Sequence, residues 1–348
     1  MSTKYQKPAE FYSGLRLHQN ENTGGCSPRV IEALAALRPD EICFYPPYEA
    51  TTRRCADYQG VDPDNMTLVN GLDEGIMAAA IGYLRPSPDG FVPEAIIPDP
   101  AFEIFGIDTE VVGGKPVHVA PNPDFSFPLE RVLAAITPNT RVVFLTNPNN
   151  PTGAAVPMEA IRQVSRLVPK GAVVFVDEAY FEFHGRTFIP ELRDYPNVIV
   201  GRTFSKAFGL AGLRLGTVVG HLDALEPLRL AIPVYSVNIA VVAAVKAALE
   251  DREHLENYLR EVEESKAMLY AACDRLGLHY WRSAANFVLV RVDEYLEDVL
   301  ARASARGIYL RDRSSEPGCA GCLRVATGVV EHTERFIKVL EEVVCAAQ

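Results

Sequence analysis

The hydrophobic and polar positions of the chain fall into two textures. Between about residue 66 and residue 220, short runs of consecutive apolar residues recur: Met66-Thr-Leu-Val69, Glu94-Ala-Ile-Ile97, Arg141-Val-Val-Phe-Leu-Thr146, Ala172-Val-Val-Phe-Val176, Asn197-Val-Ile-Val200 and Gly216-Thr-Val-Val-Gly220. Unalternated apolar runs predict strands buried on both faces, and the helical stretches between them predict parallel pairing through crossovers. Two such stretches run to Leu84 and begin near Pro157. Ahead of this region, Ser27 is placed to cap a helix that has Pro28 in its first position. Val30, Ile31, Leu34 and Leu37 form its apolar stripe. Beyond residue 221 the texture changes. One long helical region is expected from Val237 to about Leu276, followed by strands at Asn286–Arg291, Ile308–Arg311 and Cys322–Ala326 and a closing helix over 331–345.

The pattern predicts an α/β fold: a mostly parallel central sheet covered by helices, with a smaller α+β domain. The expected division is a large unit over 40–235, and a smaller one made of 1–39 together with 236–348. A chain of 348 residues is long for one hydrophobic core, which agrees with two units.

Polar motifs follow the predicted strands directly. Asn70-Gly-Leu-Asp-Glu-Gly75, Pro98-Asp-Pro-Ala-Phe102, Asn147-Pro-Asn-Asn-Pro-Thr-Gly153, Asp177-Glu-Ala-Tyr180 and the stretch from Gly201 to Gly216 each begin where an apolar run stops. In open α/β sheets ligands bind at the carboxyl ends of the strands, so these separate segments are expected to converge on one crevice.

Composition narrows the class of that ligand only a little. The formal net charge of −11 argues against a nucleic-acid footprint, which needs a basic face. No apolar run approaches the roughly 18 residues of a membrane span. The polar first residues carry no secretory pattern, so a cytoplasmic protein is expected. Seven scattered cysteines fit a reducing compartment. Cys319-Ala-Gly-Cys322 is the one close pair; without a second pair it makes no zinc site, and no metal site is expected.

The chemistry is concentrated in Arg202-Thr-Phe-Ser-Lys-Ala-Phe-Gly-Leu-Ala-Gly-Leu-Arg214. Hydroxyls at Thr203 and Ser205 and the guanidinium of Arg214 suit a phosphate. Lys206 beside them is placed to form a Schiff base with an aldehyde. A phosphorylated aldehyde held by a lysine describes pyridoxal 5'-phosphate. Asp177 ends a fully apolar strand, where an unpaired charge is expensive, and a pyridinium nitrogen would supply its cation. Tyr180 and Asn150 lie where they would reach the ring's phenolic oxygen. Each residue also has a simpler use, Asp177 as a helix N-cap and Asn150 as a turn former.

Taken together and in order, these motifs resemble the class I/II, fold-type I pyridoxal-phosphate-dependent aminotransferases. The similarity is greatest to the histidinol-phosphate branch, whose pattern is also met by Leu17-His-Gln-Asn-Glu-Asn22 and Gly321-Cys-Leu-Arg-Val-Ala-Thr-Gly328. The resemblance implies that Lys206 anchors the cofactor and shuttles the substrate α-proton. It implies that Asp177 pairs with the ring nitrogen, that Tyr180 and Asn150 bond the phenolic oxygen, and that Phe102 stacks on the ring. Ser205, Arg214 and Thr203 would hold the phosphate together with the backbone of Leu72 and Asp73. Tyr45 would come from the neighbouring subunit of a homodimer. Arg324 would clamp a substrate carboxylate or phosphate, with Arg311 assisting and Asn20 closing over the substrate. The implied reaction is transfer of an amino group from histidinol phosphate to 2-oxoglutarate. An aromatic amino donor, or decarboxylation as in the related threonine-phosphate enzymes, is the alternative. A non-catalytic regulator of aminotransferase shape would need an appended DNA-binding module, for which no length is left.

Three departures fall on the substrate side. Thr23-Gly-Gly-Cys26 replaces the usual proline-bearing loop, and Pro98-Asp-Pro-Ala-Phe102 alters the approach to the stacking aromatic. Tyr5 matches a substrate-contacting tyrosine only loosely.

Overall fold

The computed structural model describes residues 13–346 of the chain, so Tyr5 lies outside the described residues. In chain order the strands are β1 (Leu15–Arg16), β2 (Met66–Val69), β3 (Glu94–Pro98), β4 (Lys115–Val119), β5 (Thr140–Thr146), β6 (Val173–Asp177), β7 (Val198–Thr203), β8 (Gly216–Gly220), β9 (His279–Tyr280), β10 (Phe287–Arg291), β11 (Ile308–Tyr309), β12 (Arg311–Asp312) and β13 (Cys322–Ala326).

The central sheet runs β2-β8-β7-β6-β5-β3-β4. Pairing from β4 through β7 is parallel, whereas β8 is antiparallel to both its neighbours. The reversal has a local cause. The residues between Thr203 and Gly216 fold into a turn with one short 3-10 segment, Ala211–Leu213, in place of a crossover helix. Parallel pairing needs such a crossover, so the chain returns antiparallel.

Alternate side chains of the central strands feed two cores. Phe144, Phe175, Ile199 and Val218 pack with Ile76, Leu225 and Leu228 on one face. Val143, Leu145, Val174, Val176 and Val200 pack with Ile161 and Val164 on the other. The rings of Phe105 and Phe144 stack with centroids 4.6 Å apart. At roughly 1.5–3 kcal/mol for each fully buried large side chain, these two cores hold the strand ends rigidly.

The smaller sheet, β12-β13-β10-β9, is antiparallel throughout. Its core packs against helices Arg252–Leu276 and Val330–Ala346. Strand β1 joins β11 in a separate parallel pair, Leu15 opposite Ile308.

Two expectations need correction. The long helical region is not one helix: it divides into Ile239–Glu250 and Arg252–Leu276. Asp251 stands at the break, and its carboxylate accepts the backbone N–H of His254, the capping bond that starts the second helix. The strand expected over 308–311 is also divided. Ile308 and Tyr309 pair with β1, whereas Arg311 and Asp312 pair with β13. The helix capped by Ser27 with Pro28 in its first turn is as expected, spanning Pro28–Ala35. Among the described residues no helix is long and apolar enough to cross a membrane, and no group of metal-ligating side chains is found.

Candidate active site

The carboxyl ends of β5, β6 and β7, the start of helix Leu72–Tyr83, the loop Arg16–Glu21 and strands β12 and β13 enclose a cavity of about 570 Å³. Its lining contains Lys206, Asp177, Asn150, Tyr180, Thr203, Ser205, Arg214, Leu72, Asp73, Phe102, Asn20, Arg311 and Arg324. Stretches far apart in sequence thus share one space, the convergence that the strand-end motifs predicted.

Tyr45 is not part of this cavity. Its side chain is 74% exposed and stacks on Tyr235 with ring centroids 4.1 Å apart.

The cofactor side is built on strand register. Thr146, Asp177 and Gly201 lie side by side across β5, β6 and β7. Because alternate residues point to opposite faces, Asp177 and Thr203 can face the cavity while Glu178 and Arg202 turn away from it. Those two form a buried ion pair at 3.0 Å. Glu178 also accepts the Thr187 hydroxyl at 2.7 Å and the Phe188 N–H at 2.8 Å. Arg202 lies over the Phe181 ring, 3.5 Å from its centroid. A satisfied buried pair of this kind fixes strand ends in place, because removing one partner leaves an uncompensated charge.

The turn after β7 carries the reactive amine. Lys206 is half-buried, and its Nζ donates to the Gln19 carbonyl at 3.0 Å. Burial, and next the positive charge of Arg324, pull its pKa down to about 8. Thr203 Oγ1 donates to Ser205 Oγ at 3.0 Å and accepts the Ser205 N–H. Arg214 adopts the left-handed conformation at φ 61°, uncommon for a residue with a Cβ, and its guanidinium reaches Asp73 at 2.8 Å. Gly71, at φ 76°, caps the helix that starts at Leu72, and a side chain there would collide with the Arg214 guanidinium. Hydroxyls, a guanidinium and a helix N-terminus around one glycine-lined space make an anion cup.

Asp177 tests what else this space can hold. It is buried, and burial pushes its pKa up to about 7. Its one hydrogen bond is from the Ala179 N–H at 2.9 Å, and among the described residues it forms no ion pair. It is therefore a buried carboxylate aimed at a cavity and short of a cation. Asn150 gives its carbonyl oxygen to Arg324 and so keeps its amide N–H groups for a ligand. The Tyr180 hydroxyl accepts from Asn20 at 3.0 Å and keeps its own proton to donate. Around a phosphorylated pyridine aldehyde, each of these groups has a complementary atom: Asp177 the ring nitrogen, Tyr180 and Asn150 the phenolic oxygen, Lys206 the aldehyde carbon and the anion cup the phosphate.

The substrate side is built from arginines. Arg311 on β12 stands directly opposite Arg324 on β13, a like-charge pair that a purely structural hairpin avoids. Arg324 is buried, with Nη1 on Asn150 and Nη2 on the His18 carbonyl at 2.6 Å. Burial, followed by the charges of Arg313 and Arg311, lowers its pKa to about 9. His18, beside it, is pulled down to about 4 by burial and by Arg16, Arg311 and Arg324, so its imidazole is neutral.

Sequence reasoning missed Arg313, Glu103, Arg16, His18 and Glu21, all of which line the cavity. Arg313 had a signal: it stands two positions after Arg311, the strand period that keeps both on one face. Glu103 had none, since it meets Arg313 at 3.3 Å across 210 positions of sequence. Cys319 and Cys322 lie outside the cavity lining, are buried, and carry thiols that burial pushes up, that of Cys319 to about 12. Such thiols are poor nucleophiles.

A doubly covered α/β sheet that presents a depressed lysine, an unpaired carboxylate and an anion cup at its strand ends defines an enzyme that handles amines. The comparisons give the family. The family model for aminotransferase class I and II matches residues 13–340, and the chain belongs to that family. The histidinol-phosphate aminotransferase of Symbiobacterium thermophilum is 36% identical over 342 residues, covering 97% of this chain and 92% of that protein. That of Moorella thermoacetica is 33% identical over 340 residues, covering 94% and 85%. The crystal structure of histidinol-phosphate aminotransferase from Sinorhizobium meliloti, in complex with pyridoxal-5'-phosphate, is similar with a TM-score of 0.86. Its sequence is 25% identical, and the match covers 96% of this chain and 92% of that one. The protein is an aminotransferase.

Proposed function

We propose that the protein binds pyridoxal 5'-phosphate in this cavity and transfers the amino group of histidinol phosphate to 2-oxoglutarate. One observation carries the reading: a single cavity joins the lysine, carboxylate and anion cup at the sheet's strand ends to a cluster of arginines on β12 and β13. The first end suits the cofactor and the second an anionic substrate. The names of the relatives point to the phosphate ester.

Bound there, the cofactor supplies an aldehyde to carry the amino group and a ring that accepts electrons. The rest of the chemistry belongs to side chains of this chain. Lys206 is the proton carrier: burial and the charge of Arg324 pull its pKa down to about 8, which favours the free amine that takes a proton from the substrate α-carbon and returns it. Asp177 would hold the ring nitrogen in its protonated form, and would gain in exchange the cation that its burial demands. Tyr180 and Asn150 would orient the ring by hydrogen bonds to its phenolic oxygen, and Phe102, which lines the same cavity, would pack against the ring. Arg324 and Arg311 take the phosphate of histidinol phosphate in one half of the cycle and a carboxylate of 2-oxoglutarate in the other. Asn20, held at φ 55° and bonded to Tyr180, closes that end.

In this reading, residues 40–235 form the cofactor-binding unit, while 1–39 and 236–348 form the substrate-side unit. The active species is a cytoplasmic homodimer in which Tyr45 reaches the partner's phosphate cup. Its support is an exposed apolar patch on the outer surface, where Phe44 is 71% and Val234 is 80% exposed beside the Tyr45–Tyr235 stack.

The test is product analysis with the purified holoenzyme. Histidinol phosphate and 2-oxoglutarate should yield glutamate and the corresponding ketone in equal amounts. Release of carbon dioxide from an amino acid phosphate in their place would reassign the protein to decarboxylation.

A further inference from the structure

Glu103 occupies an unexpected place. It ends the loop that carries Phe102 and precedes helix Ile104–Val111, on the side of the large sheet. Its carboxylate lies in the cavity wall, where Oε1 is 3.3 Å from Arg313 Nη1 and 3.7 Å from Arg311 Nη2. Two guanidinium groups from the small sheet therefore converge on one oxygen from the opposite wall. Arg313 is almost fully buried and has a second carboxylate, Glu316, at 3.1 Å. The cluster thus holds two guanidiniums, Arg311 and Arg313, and two carboxylates, Glu103 and Glu316.

That balance has a consequence for which substrates fit. An arginine left in a half-buried cavity with no counter-ion is costly, and a ligand without an anionic group leaves it so. Here the counter-charge for Arg311 and Arg313 is already supplied from within. We propose that Glu103 is a specificity-determining residue, an internal counter-ion that lets the cavity accept amines with an uncharged arm as well as amines with a phosphate arm. For the uncharged arm Glu103 stays on Arg311 and Arg313. For the phosphate arm it gives up Arg311, so the phosphate is bound less tightly than bare arginines would bind it. The residue lowers the preference for phosphorylated donors and broadens the donor range.

This inference rests on the functional reading above, and its test separates the two. Histidinol phosphate and histidinol differ only in the phosphate, so the ratio of their kcat/KM values reads the discrimination directly. Glu103→Gln keeps the shape and removes the charge. It should widen that ratio by about tenfold in favour of the phosphate ester, the scale of one charge-assisted hydrogen bond. The dissociation constant of inorganic phosphate from the holoenzyme, measured by calorimetry, should fall by a similar factor. The double variant Glu103→Gln with Arg313→Gln removes one charge of each sign from the cluster, and should bring the ratio back towards the wild-type value. An unchanged or narrowed ratio in E103Q, or a phosphate affinity that does not tighten, would overturn the proposal; a mere packing role predicts weaker binding of every ligand. If the wild type does not turn over histidinol phosphate at all, the functional reading fails. The phosphate titration then still decides the role of Glu103.

Discussion

The two ends of the cavity are held by different physics. At the cofactor end, the side chains stand at or just beyond the ends of strands whose neighbours are buried and apolar, and for Asp177 and Thr203 the strand register fixes what faces what. Asp177 and Thr203 have few alternatives, because the Glu178–Arg202 pair locks the other side of the same strands. At the substrate end, Arg324 stands on the buried strand β13 and is held by Asn150 and the His18 carbonyl, but the side chains around it stand on a two-residue strand and on loops and are held by ion pairs among themselves. Arg311 opposes Arg324, Arg313 leans on Glu103 and Glu316, and Arg16 pairs with Glu21 at 2.5 Å. The contrast shows why one end can stay constant while the other is retuned. Replacing a residue in a strand-locked site breaks the chemistry, whereas replacing one in an ion-pair cluster shifts the charge that the site prefers.

Substitutions separate the two ends by size of effect. Lys206→Ala should lower kcat by roughly 10⁴-fold or more, since both the covalent anchor and the proton carrier are lost. Retained turnover in rapid-quench assays would remove Lys206 from the mechanism. Asp177→Asn should cost roughly 10³-fold in kcat through loss of the charge that holds the ring nitrogen protonated.

Asp177 also predicts a pH effect on the unliganded protein. Its folded pKa of about 7 lies above the ordinary carboxylate value of about 3.9. The folded state therefore holds this proton more tightly than the unfolded state. Its contribution to stability is present at low pH and is lost as pH rises through about 7. Melting curves of the apoprotein should show Asp177→Asn gaining on the wild type across that interval, and parallel curves would refute the buried, unpaired carboxylate.

At the substrate end the effects should be smaller and should fall on binding. Arg324→Lys keeps the charge but loses the planar fork, and should raise KM for histidinol phosphate by roughly 30- to 100-fold with a lesser change in kcat. Tyr45→Phe should be the mildest, about three- to tenfold in cofactor affinity, the scale of one ordinary hydrogen bond. Hybrids of Lys206→Ala and Tyr45→Phe subunits, assayed after co-expression, test whether that contact crosses between subunits.

Much of the cofactor end was legible in the sequence because a single rule places it. Apolar runs mark the strands, and the polar residue that ends each run must lie at the sheet's edge beside the others. That rule placed Asn150, Asp177 and Lys206 near one crevice, while their roles came from the family resemblance of the motifs that carry them. The antiparallel return of β8 was not legible, since an apolar run reads alike in either direction. Nor was the break at Asp251, where helical spacing continues on both sides and one capping carboxylate decides. The substrate end was harder for a physical reason. Arg311 and Arg324 announce themselves in a motif, but Glu103 and Arg313 acquire their meaning only from each other, through a contact between the two sheets that no local pattern encodes.

The central claim is that the strand-end lysine and the arginine cluster serve one amino-transfer reaction on a phosphorylated amine. The most direct measurement is a single-turnover experiment in which excess holoenzyme is mixed with histidinol phosphate, and 2-oxoglutarate is added afterwards. The account predicts one equivalent of ketone per active site before the oxo acid is added, one equivalent of glutamate after it, and neither product from the Lys206→Ala variant. Carbon dioxide in place of ketone, or equal yields from Lys206→Ala, would contradict it.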